Sequence, residues 1–180
     1  MSALFPRALA LLLALAWFDA SAQTADRPIE DFYGEYVGQT VAEGELDARD
    51  ITVNIQPLKD KGFSVAWTTV VSRADGSTSK KSYTINFQAS QRDSIYAAGM
   101  RPNLFGGWVP LDPMKGEPYI WARVRGNSLT VYAMHVRDDG GYEMQTYERT
   151  LTEDGMVLEF RRVADGIAMK TIEGYLKRVK

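Results

Sequence analysis

The most constraining feature of this chain is a succession of short runs in which apolar and polar residues alternate. The runs are separated by turn residues and lie at 51–56, 63–68, 82–87, 117–125, 128–137, 142–152, 156–164 and 167–179. Alternation with a period of two is typical of half-buried β-strands, and no segment shows a clear 3.6-residue helical period. The sequence therefore predicts an all-β fold of about eight to ten strands.

Pairs of residues that tolerate positive φ stand between several runs, at Asp75-Gly76, Gly126-Asn127, Asp154-Gly155 and Asp165-Gly166. Such pairs are typical of two-residue β-hairpin turns. A meander of hairpins without helices must protect its edge strands, and closure into a barrel does so most completely. We predict a single antiparallel up-and-down meander barrel, with a two-sheet β-sandwich as the alternative.

The N-terminus has the three parts of a secretory signal peptide. Arg7 supplies the positive charge, residues 8–18 form an apolar segment too short to span a bilayer, and Ala20-Ser21-Ala22 is a cleavage site of small residues. We predict a signal peptide over 1–22, a tail over 23–31 and one barrel domain over 32–180. The mature product is then expected to be periplasmic or secreted.

Composition narrows the functional classes. The chain has 180 residues, a net charge of −2 and no cysteine. The lack of cysteine excludes disulfides, thiolate metal sites and cysteine nucleophiles. A near-neutral balance gives no electrostatic reason to expect a nucleic-acid partner. No later apolar run approaches the length of a membrane span, so a membrane-spanning segment is not expected.

The segment 99–118 differs from the rest of the chain. It holds four prolines, Pro102, Pro110, Pro113 and Pro118, together with aromatic residues that include Trp108. Its prolines and glycines predict a long irregular loop without regular strand or helix. Its apolar side chains disfavour disorder, so we expect the loop to lie against an apolar surface.

Strand pairing through the turns sorts the side chains of 117–163 onto two predicted faces. The turn at Gly126-Asn127 pairs Trp121 with Tyr132, and closing the next loop at Arg137/Tyr142 pairs Tyr132 with Tyr147. One face then carries aromatic and basic side chains: Tyr119, Trp121, Arg123, Tyr132, Met134, Tyr147, Arg149, Leu158, Phe160 and Arg162. The other is aliphatic and carries Ile120, Ala122, Val124, Leu129, Val131, Ala133 and His135.

The aromatic and basic face is the predicted ligand site if it lines the lumen. Arg123 and Arg149 would lie on the order of 10 Å apart and converge on a carboxylate or phosphate. Hydroxyls of Tyr132 and Tyr147 would add hydrogen bonds. The ligand's apolar part would contact three further side chains, Trp121, Phe160 and Trp108.

Three alternatives remain open for these residues. The arginines could extend to solvent at a rim, or pair with a buried acid such as Glu173. The two faces could also be inverted, with the aliphatic set as the core. If they are not inverted, the aliphatic exterior needs a cover, either the 99–118 loop or a second subunit in a homodimer.

The segment Phe32-Tyr33-Gly34-Glu35-Tyr36-Val37-Gly38 resembles the opening strand of the lipocalin, or calycin, barrels. That family has Gly-x-Trp on its first strand and packs a late arginine over the indole. The resemblance implies that Tyr36 replaces the tryptophan and that Arg178 covers it. It also implies a cup for small apolar ligands.

The remaining motifs predict no catalytic residues, no metal site and no cofactor. His135 is the only histidine, and a lone strand histidine near a turn is expected to be a surface or hydrogen-bonding residue rather than a haem ligand. The leading hypothesis is an exported lipocalin-like barrel that binds a small amphipathic or anionic molecule. The alternatives are a non-catalytic interaction module of the cell envelope and a cofactor-free isomerase or cyclase.

Overall fold

The computed structural model describes residues 25–42, 49–59, 61–73, 75–98, 100–102 and 108–180. The predicted signal peptide, 1–22, lies outside the described residues. Short 3₁₀ helices span Ile29–Phe32 and Pro113–Lys115. The strands are β1 (Gly34–Ala42), β2 (Arg49–Pro57), β3 (Phe63–Ser72), β4 (Thr78–Ala89), β5 (Ile95–Ala98), β6 (Met100–Pro102), β7 (Trp108–Pro110), β8 (Tyr119–Arg125), β9 (Ser128–Val136), β10 (Tyr142–Leu151), β11 (Gly155–Ala164) and β12 (Ile167–Arg178).

Ten of the described strands form one closed antiparallel barrel. Around the ring their order is β1-β12-β11-β10-β9-β8-β5-β4-β3-β2, so neighbours in sequence are neighbours in space except where β5 pairs with β8. The ring closes where β1 pairs with β12 and Tyr36 lies opposite Arg178. The predicted all-β up-and-down barrel is confirmed.

The segment 99–118 is more regular than predicted. Strands β6 and β7 pair as a separate two-stranded ribbon, which the proline content was expected to prevent. Two of its prolines stand at the ends of this short pairing, Pro110 opposite Met100 and Pro102 opposite Trp108. The ladder is interrupted only at its ends, where the loss of a hydrogen bond is tolerated. The following 3₁₀ helix begins after Asp112, whose side chain accepts a hydrogen bond from the Met114 N–H at 3.0 Å.

The loop between β9 and β10 is longer than predicted, and this changes which side chains of the two strands share a face. Val136, not Arg137, is the residue opposite Tyr142, so the connection has one residue more than expected. Arg137 lies in the loop, where its guanidinium binds Asp139 at 2.9 Å and Asp165 at 2.6 Å. A shift of one residue moves every side chain of a strand to the other face.

The sequence left open whether the two faces are inverted, and the inversion holds for β8 and β9 but not for β10. Strands β8 and β9 turn their aliphatic set inward, and Ala122, Val124, Leu129 and Val131 belong to the buried core. Strand β10 points Tyr147 and Arg149 into the same lumen. The predicted pairing of Tyr132 with Tyr147 is wrong, and the aliphatic face expected to support a homodimer is the barrel interior.

A second register prediction was wrong without changing the faces. Glu148 lies directly opposite Glu159, not Arg161, and Gly155 belongs to β11 instead of a two-residue turn. Like charges directly opposite destabilise a strand pair. Arg161 offsets this on the outer surface by binding Glu159 at 2.9 Å and Glu148 at 3.4 Å. The slip is of two residues, so side-chain parity is preserved.

One end of the barrel is filled by the hydrophobic core. The 3₁₀ helix Ile29–Phe32 packs into this end, and Phe32 is fully buried among side chains of the surrounding strands. Phe63 and Phe87 stack there with ring centroids 4.9 Å apart. This end of the lumen is therefore closed, and open space is confined to the other half.

Tyr36 and Arg178 join the closed end as the lipocalin resemblance implied. The Arg178 guanidinium lies 5.1 Å from the centroid of the Tyr36 ring, and its Nε donates to the Tyr36 hydroxyl at 3.0 Å. That hydroxyl donates in turn to the Phe32 carbonyl at 2.9 Å. Burial raises the pKa of Tyr36. The three groups tie β1, β12 and the 3₁₀ helix together.

Within the described ranges, none of the helices has the length and apolar character needed to cross a membrane.

Substitution of Tyr36 tests this junction. We expect Tyr36→Phe to lower the free energy of unfolding by about 1–3 kcal/mol, because the buried Phe32 carbonyl loses its donor. Tyr175→Phe is the matched control, since the Tyr175 hydroxyl binds Asp154 on the exposed surface. Urea denaturation of both variants measures the difference. Equal losses would contradict a special role for the Tyr36 junction.

Candidate ligand-binding site

The open half of the lumen holds a cavity of about 610 Å³. Its walls come from β1–β4 on one side and from β10–β12 on the other. Inward side chains alternate along each strand, so the cavity is lined by every second residue of these strands. A volume of this size is in the range of pockets for small organic molecules.

Side chains from two opposite walls meet at the floor of the cavity, which is its end next to the packed core. Strands β3 and β10 are separated by four strands in either direction around the ring, so Trp67 and Tyr147 face each other across the lumen. Their ring centroids lie 5.5 Å apart. The Arg149 guanidinium lies 6.0 Å from the Trp67 ring centroid and 5.9 Å from that of Tyr147. These three side chains separate the packed core from the cavity.

Arg149 is a buried cation without a counter-ion among the described residues. Its relative exposure is 1%, and its Nε and Nη1 atoms have no hydrogen-bond partner. Burial lowers the pKa of Arg149 to about 10, while Tyr147 acts in the opposite direction. The guanidinium stays charged near neutral pH, so two nitrogen atoms of a buried cation are left without a hydrogen-bond acceptor.

A second buried polar atom without a partner lies in the same cavity wall. Thr40 occupies β1 with its Oγ1 unbonded, and its exposure is 1%. Arg149, Leu158, Gly174 and Thr40 are successive partners across four neighbouring strands. Gly174 has no room for a side chain, since a Cβ there would lie 2.3 Å from Thr40 Cγ2. Thr40 and Arg149 both line the cavity.

Above the floor, β10 and β11 carry a hydrogen-bonded chain of polar side chains. The Tyr147 hydroxyl donates to Gln145 at 2.9 Å, Gln145 donates to Glu143 at 2.7 Å, and Arg162 donates to Glu143 at 2.5 Å. The hydrogen bond from Arg162 is the main cause that lowers the pKa of Glu143. Glu143 is thus paired with Arg162 and does not neutralise Arg149.

The side chains that line the cavity are basic in excess. Six basic residues line it, and no acidic residue does so among those the structure describes: Arg49, Arg73, Lys81, Arg149, Arg162 and Lys170. Low-dielectric walls of one charge sign concentrate the field inside a cleft. The arrangement attracts anions and repels cations.

Some of the predicted site residues lie inside the barrel and others lie on its outer surface. Tyr147, Arg149 and Phe160 line the cavity, together with Arg162 and Leu158 from the same predicted face. Trp121, Arg123 and Tyr132 lie outside, where Trp121 and Tyr132 stack with centroids 4.8 Å apart. The predicted convergence of Arg123 with Arg149 is wrong, because the extra loop residue places them on opposite faces.

Two further expectations concern single residues. Trp108 belongs to β7, but its side chain lies outside the described part of the chain. Glu173 was a candidate partner for a buried arginine; it is exposed and lies opposite Glu159 on the outer face. Arg149 therefore does not pair with Glu173.

Sequence reasoning missed Trp67 and three basic residues, which are Arg49 on β2, Arg73 directly after β3 and Lys81 on β4. Alternate residues of a strand lie on the same face, so the apolar inward residues of each strand would have located these side chains without any turn geometry. Phe63 and Val65 mark the inward positions of β3, so Trp67 and Arg73 are inward as well. Phe87 likewise marks Lys81 on β4.

Within the described residues, no group of three or more histidines, cysteines or carboxylates is arranged to hold a metal ion. Comparison with known proteins gives no match to a protein-family model and no match to a curated protein. The physical properties of the cavity are accordingly the basis for inferring its function.

Replacement of the buried cation tests its energetic cost. We expect Arg149→Met to raise the free energy of unfolding by about 1–4 kcal/mol, because an apolar side chain of similar length removes an uncompensated buried charge. Arg161→Met on the neighbouring strand is the control and should lower it by less than about 1 kcal/mol. Thermal and urea unfolding measure both. A clear loss of stability in Arg149→Met would show that the charge is compensated in the folded protein.

Proposed function

We propose that this protein is an exported lipocalin-like barrel that binds a small anionic amphipathic molecule in its lumen. The observation that carries the proposal is Arg149, a buried guanidinium that lines the cavity and whose Nε and Nη1 have no hydrogen-bond partner. The ligand supplies the missing acceptor, a carboxylate or a phosphate.

The geometry of the guanidinium favours a planar or tetrahedral oxyanion. A guanidinium has two donor edges, one formed by Nε and Nη2 and the other by Nη1 and Nη2, and the two parallel N–H donors of either edge match two oxygens of a carboxylate or phosphate. Trp67 and Tyr147 approach the same guanidinium and hold it in place across the lumen. Such an arginine is pre-organised, so little side-chain entropy is lost when the anion binds.

The walls beside Arg149 suit the apolar part of such a ligand. Ile51, Leu158, Phe160 and Ile172 line the cavity. Burial of apolar surface contributes roughly 25 cal/mol per Å², which makes an alkyl or aromatic tail the main source of affinity. The anionic head would then determine orientation and selectivity.

Family and location belong to the same proposal. The stacking of Arg178 on Tyr36 at the closed end supports a lipocalin-like assignment, because that contact was expected from the family's first-strand motif. The signal-peptide pattern of residues 1–22 supports export. A periplasmic or secreted binding protein would meet amphipathic anions from the cell envelope or the medium.

Isothermal titration calorimetry with dodecanoate, dodecyl phosphate and uncharged dodecanol tests the proposal. We expect at least one of the two anions to bind the wild-type protein more tightly than dodecanol. Arg149→Met should weaken that anion about 30-fold or more, because the head group loses its buried partner. The affinity for dodecanol should stay similar, since the apolar walls are unchanged.

Arg161→Met is the control for the loss of one positive charge and should bind as the wild type does. The comparison of dodecanoate with dodecyl phosphate identifies the preferred head group. The proposal fails if neither anion binds, if dodecanol binds as tightly as both anions, or if Arg149→Met binds them normally.

A further inference from the structure

A row of four aromatic rings crosses the lumen at the level of the cavity floor. Trp67 on β3 is the strand partner of Tyr83 on β4. On the opposite wall, Tyr147 on β10 is the strand partner of Phe160 on β11. The ring centroids are 5.2 Å apart for Tyr83 and Trp67, 5.5 Å for Trp67 and Tyr147, and 4.7 Å for Tyr147 and Phe160. The rings are therefore in continuous contact from one wall of the barrel to the other.

Arg149 lies beside this row, toward the packed end of the barrel. It is the next inward residue of β10 after Tyr147 in that direction, and its guanidinium contacts the rings of Trp67 and Tyr147. Although Arg149 lines the cavity, its relative exposure is only 1%, and its Nε and Nη1 atoms are buried. An oxygen atom of a ligand is similar in size to a water molecule. It cannot reach these two nitrogen atoms until a neighbouring side chain moves.

Tyr147 is held in the row by a hydrogen bond directed toward the mouth, the open end of the cavity. Its hydroxyl donates to Gln145 Oε1 at 2.9 Å, and Gln145 is the next inward residue of β10 on the mouth side. Gln145 Nε2 donates to Glu143 at 2.7 Å, and Arg162 donates to the same carboxylate at 2.5 Å. Because an ionised carboxylate only accepts hydrogen bonds, it orients the Gln145 amide with its oxygen toward Tyr147. Burial raises the pKa of Tyr147, so the phenol keeps the proton that it donates.

The Tyr147 ring is the neighbour of Arg149 whose position is set from the mouth side. Of the two rings beside Arg149, that of Trp67 makes no hydrogen bond with the described residues, whereas Tyr147 is tied to Gln145. The cavity of about 610 Å³ provides space into which the Tyr147 ring can turn. A single hydrogen bond contributes modestly to the stability of a protein, so the ring can leave the row while the barrel stays folded.

We propose that Tyr147 is an inner gate of the binding site: its ring turns away from Arg149 to admit the anionic head group, and its hydrogen bond to Gln145 keeps the gate closed in the free protein. This inference rests on the proposed function and specifies which residues control access to Arg149. The anion binds only the open form, so binding shifts the population toward that form. The apparent dissociation constant equals the intrinsic constant divided by the open fraction, so loss of the hydrogen bond should tighten binding.

Stopped-flow tryptophan fluorescence with dodecanoate and dodecyl phosphate tests the gate, and Trp67 reports on the ring because the two are in contact. Tyr147→Phe keeps the ring and removes only the hydroxyl that binds Gln145. The anion that binds the wild type more tightly should bind this variant about fivefold faster and about fivefold more tightly, because the loss of one hydrogen bond raises the open fraction by that factor. The dissociation rate should equal that of the wild type, since the hydrogen bond is already absent from the bound form.

A second variant and a matched control accompany Tyr147→Phe. Gln145→Leu removes the acceptor of the same hydrogen bond and should accelerate anion binding to a similar extent. Tyr83→Phe is the control, because Tyr83 belongs to the row but its hydroxyl has no hydrogen-bond partner among the described residues. It should bind the anion at the wild-type rate. Uncharged dodecanol does not need Arg149, so it should bind Tyr147→Phe as fast as it binds the wild type.

The outcomes separate the gate from the proposed function. Anion binding to Tyr147→Phe at the wild-type rate, or an equal acceleration in Tyr83→Phe, would overturn the gate and leave the Arg149 site intact. Weaker binding through faster dissociation would also overturn it, because the Tyr147 hydroxyl would then be a contact of the ligand. An equal acceleration for dodecanol would replace the gate by a general loosening of the lumen. If neither anion binds the wild type, or if both bind Arg149→Met normally, the proposed function fails and the gate fails with it.

Discussion

Closure of the strand ladder between β1 and β12 is the constraint on which the rest of this structure depends. Once the ring is closed, every second residue of each strand faces one enclosed volume, and its neighbours face solvent. The closed end is filled by aromatic and aliphatic side chains around Phe32, with Tyr36 and Arg178 joining the strands that complete the ring. Because this end supplies the packed core, the other half of the lumen can hold a cavity lined by charged groups.

Arg149 shows how stability and binding oppose each other in such a cavity. A buried guanidinium without a counter-ion destabilises the folded chain, whereas the proposed anionic ligand would satisfy its donors. The contact between Trp67 and Tyr147 at the floor holds the cation where the packed core ends. Ligand binding would therefore stabilise the protein twice, by burying apolar surface and by satisfying Arg149.

The strand positions and the fold class followed from the sequence because they depend on local patterns. Alternation identified the strands, and the turns at Gly126-Asn127 and Asp165-Gly166 have the two-residue form expected from positive φ at Gly126, Asp165 and Gly166. The face of β10 relative to β9 depends on whether Arg137 stays in the ladder. In the loop Arg137 binds Asp139 and also Asp165, which lies 28 residues later and outside any local pattern.

The same distinction explains what was predicted of the candidate site. The prediction that Tyr147, Arg149 and Phe160 share a face was right although the predicted register of β10 and β11 was wrong. The error was two residues, and an even error leaves each side chain on the same face. The prediction placed Trp121 and Tyr132 on the wrong face because the predicted connection between β9 and β10 was one residue too short, and an odd error reverses the face. The site depends on parity, which a single loop residue can reverse.

A crystal structure of the protein with ω-bromododecanoate would test the central claim most directly, since anomalous scattering from bromine locates the tail independently of the head group. We predict a carboxylate within hydrogen-bond distance of one N–H edge of the Arg149 guanidinium, with the bromine toward the mouth near Arg162 and Lys81. A ligand with its carboxylate at the mouth and its tail against Arg149, or one bound only on the outer face, would contradict the account.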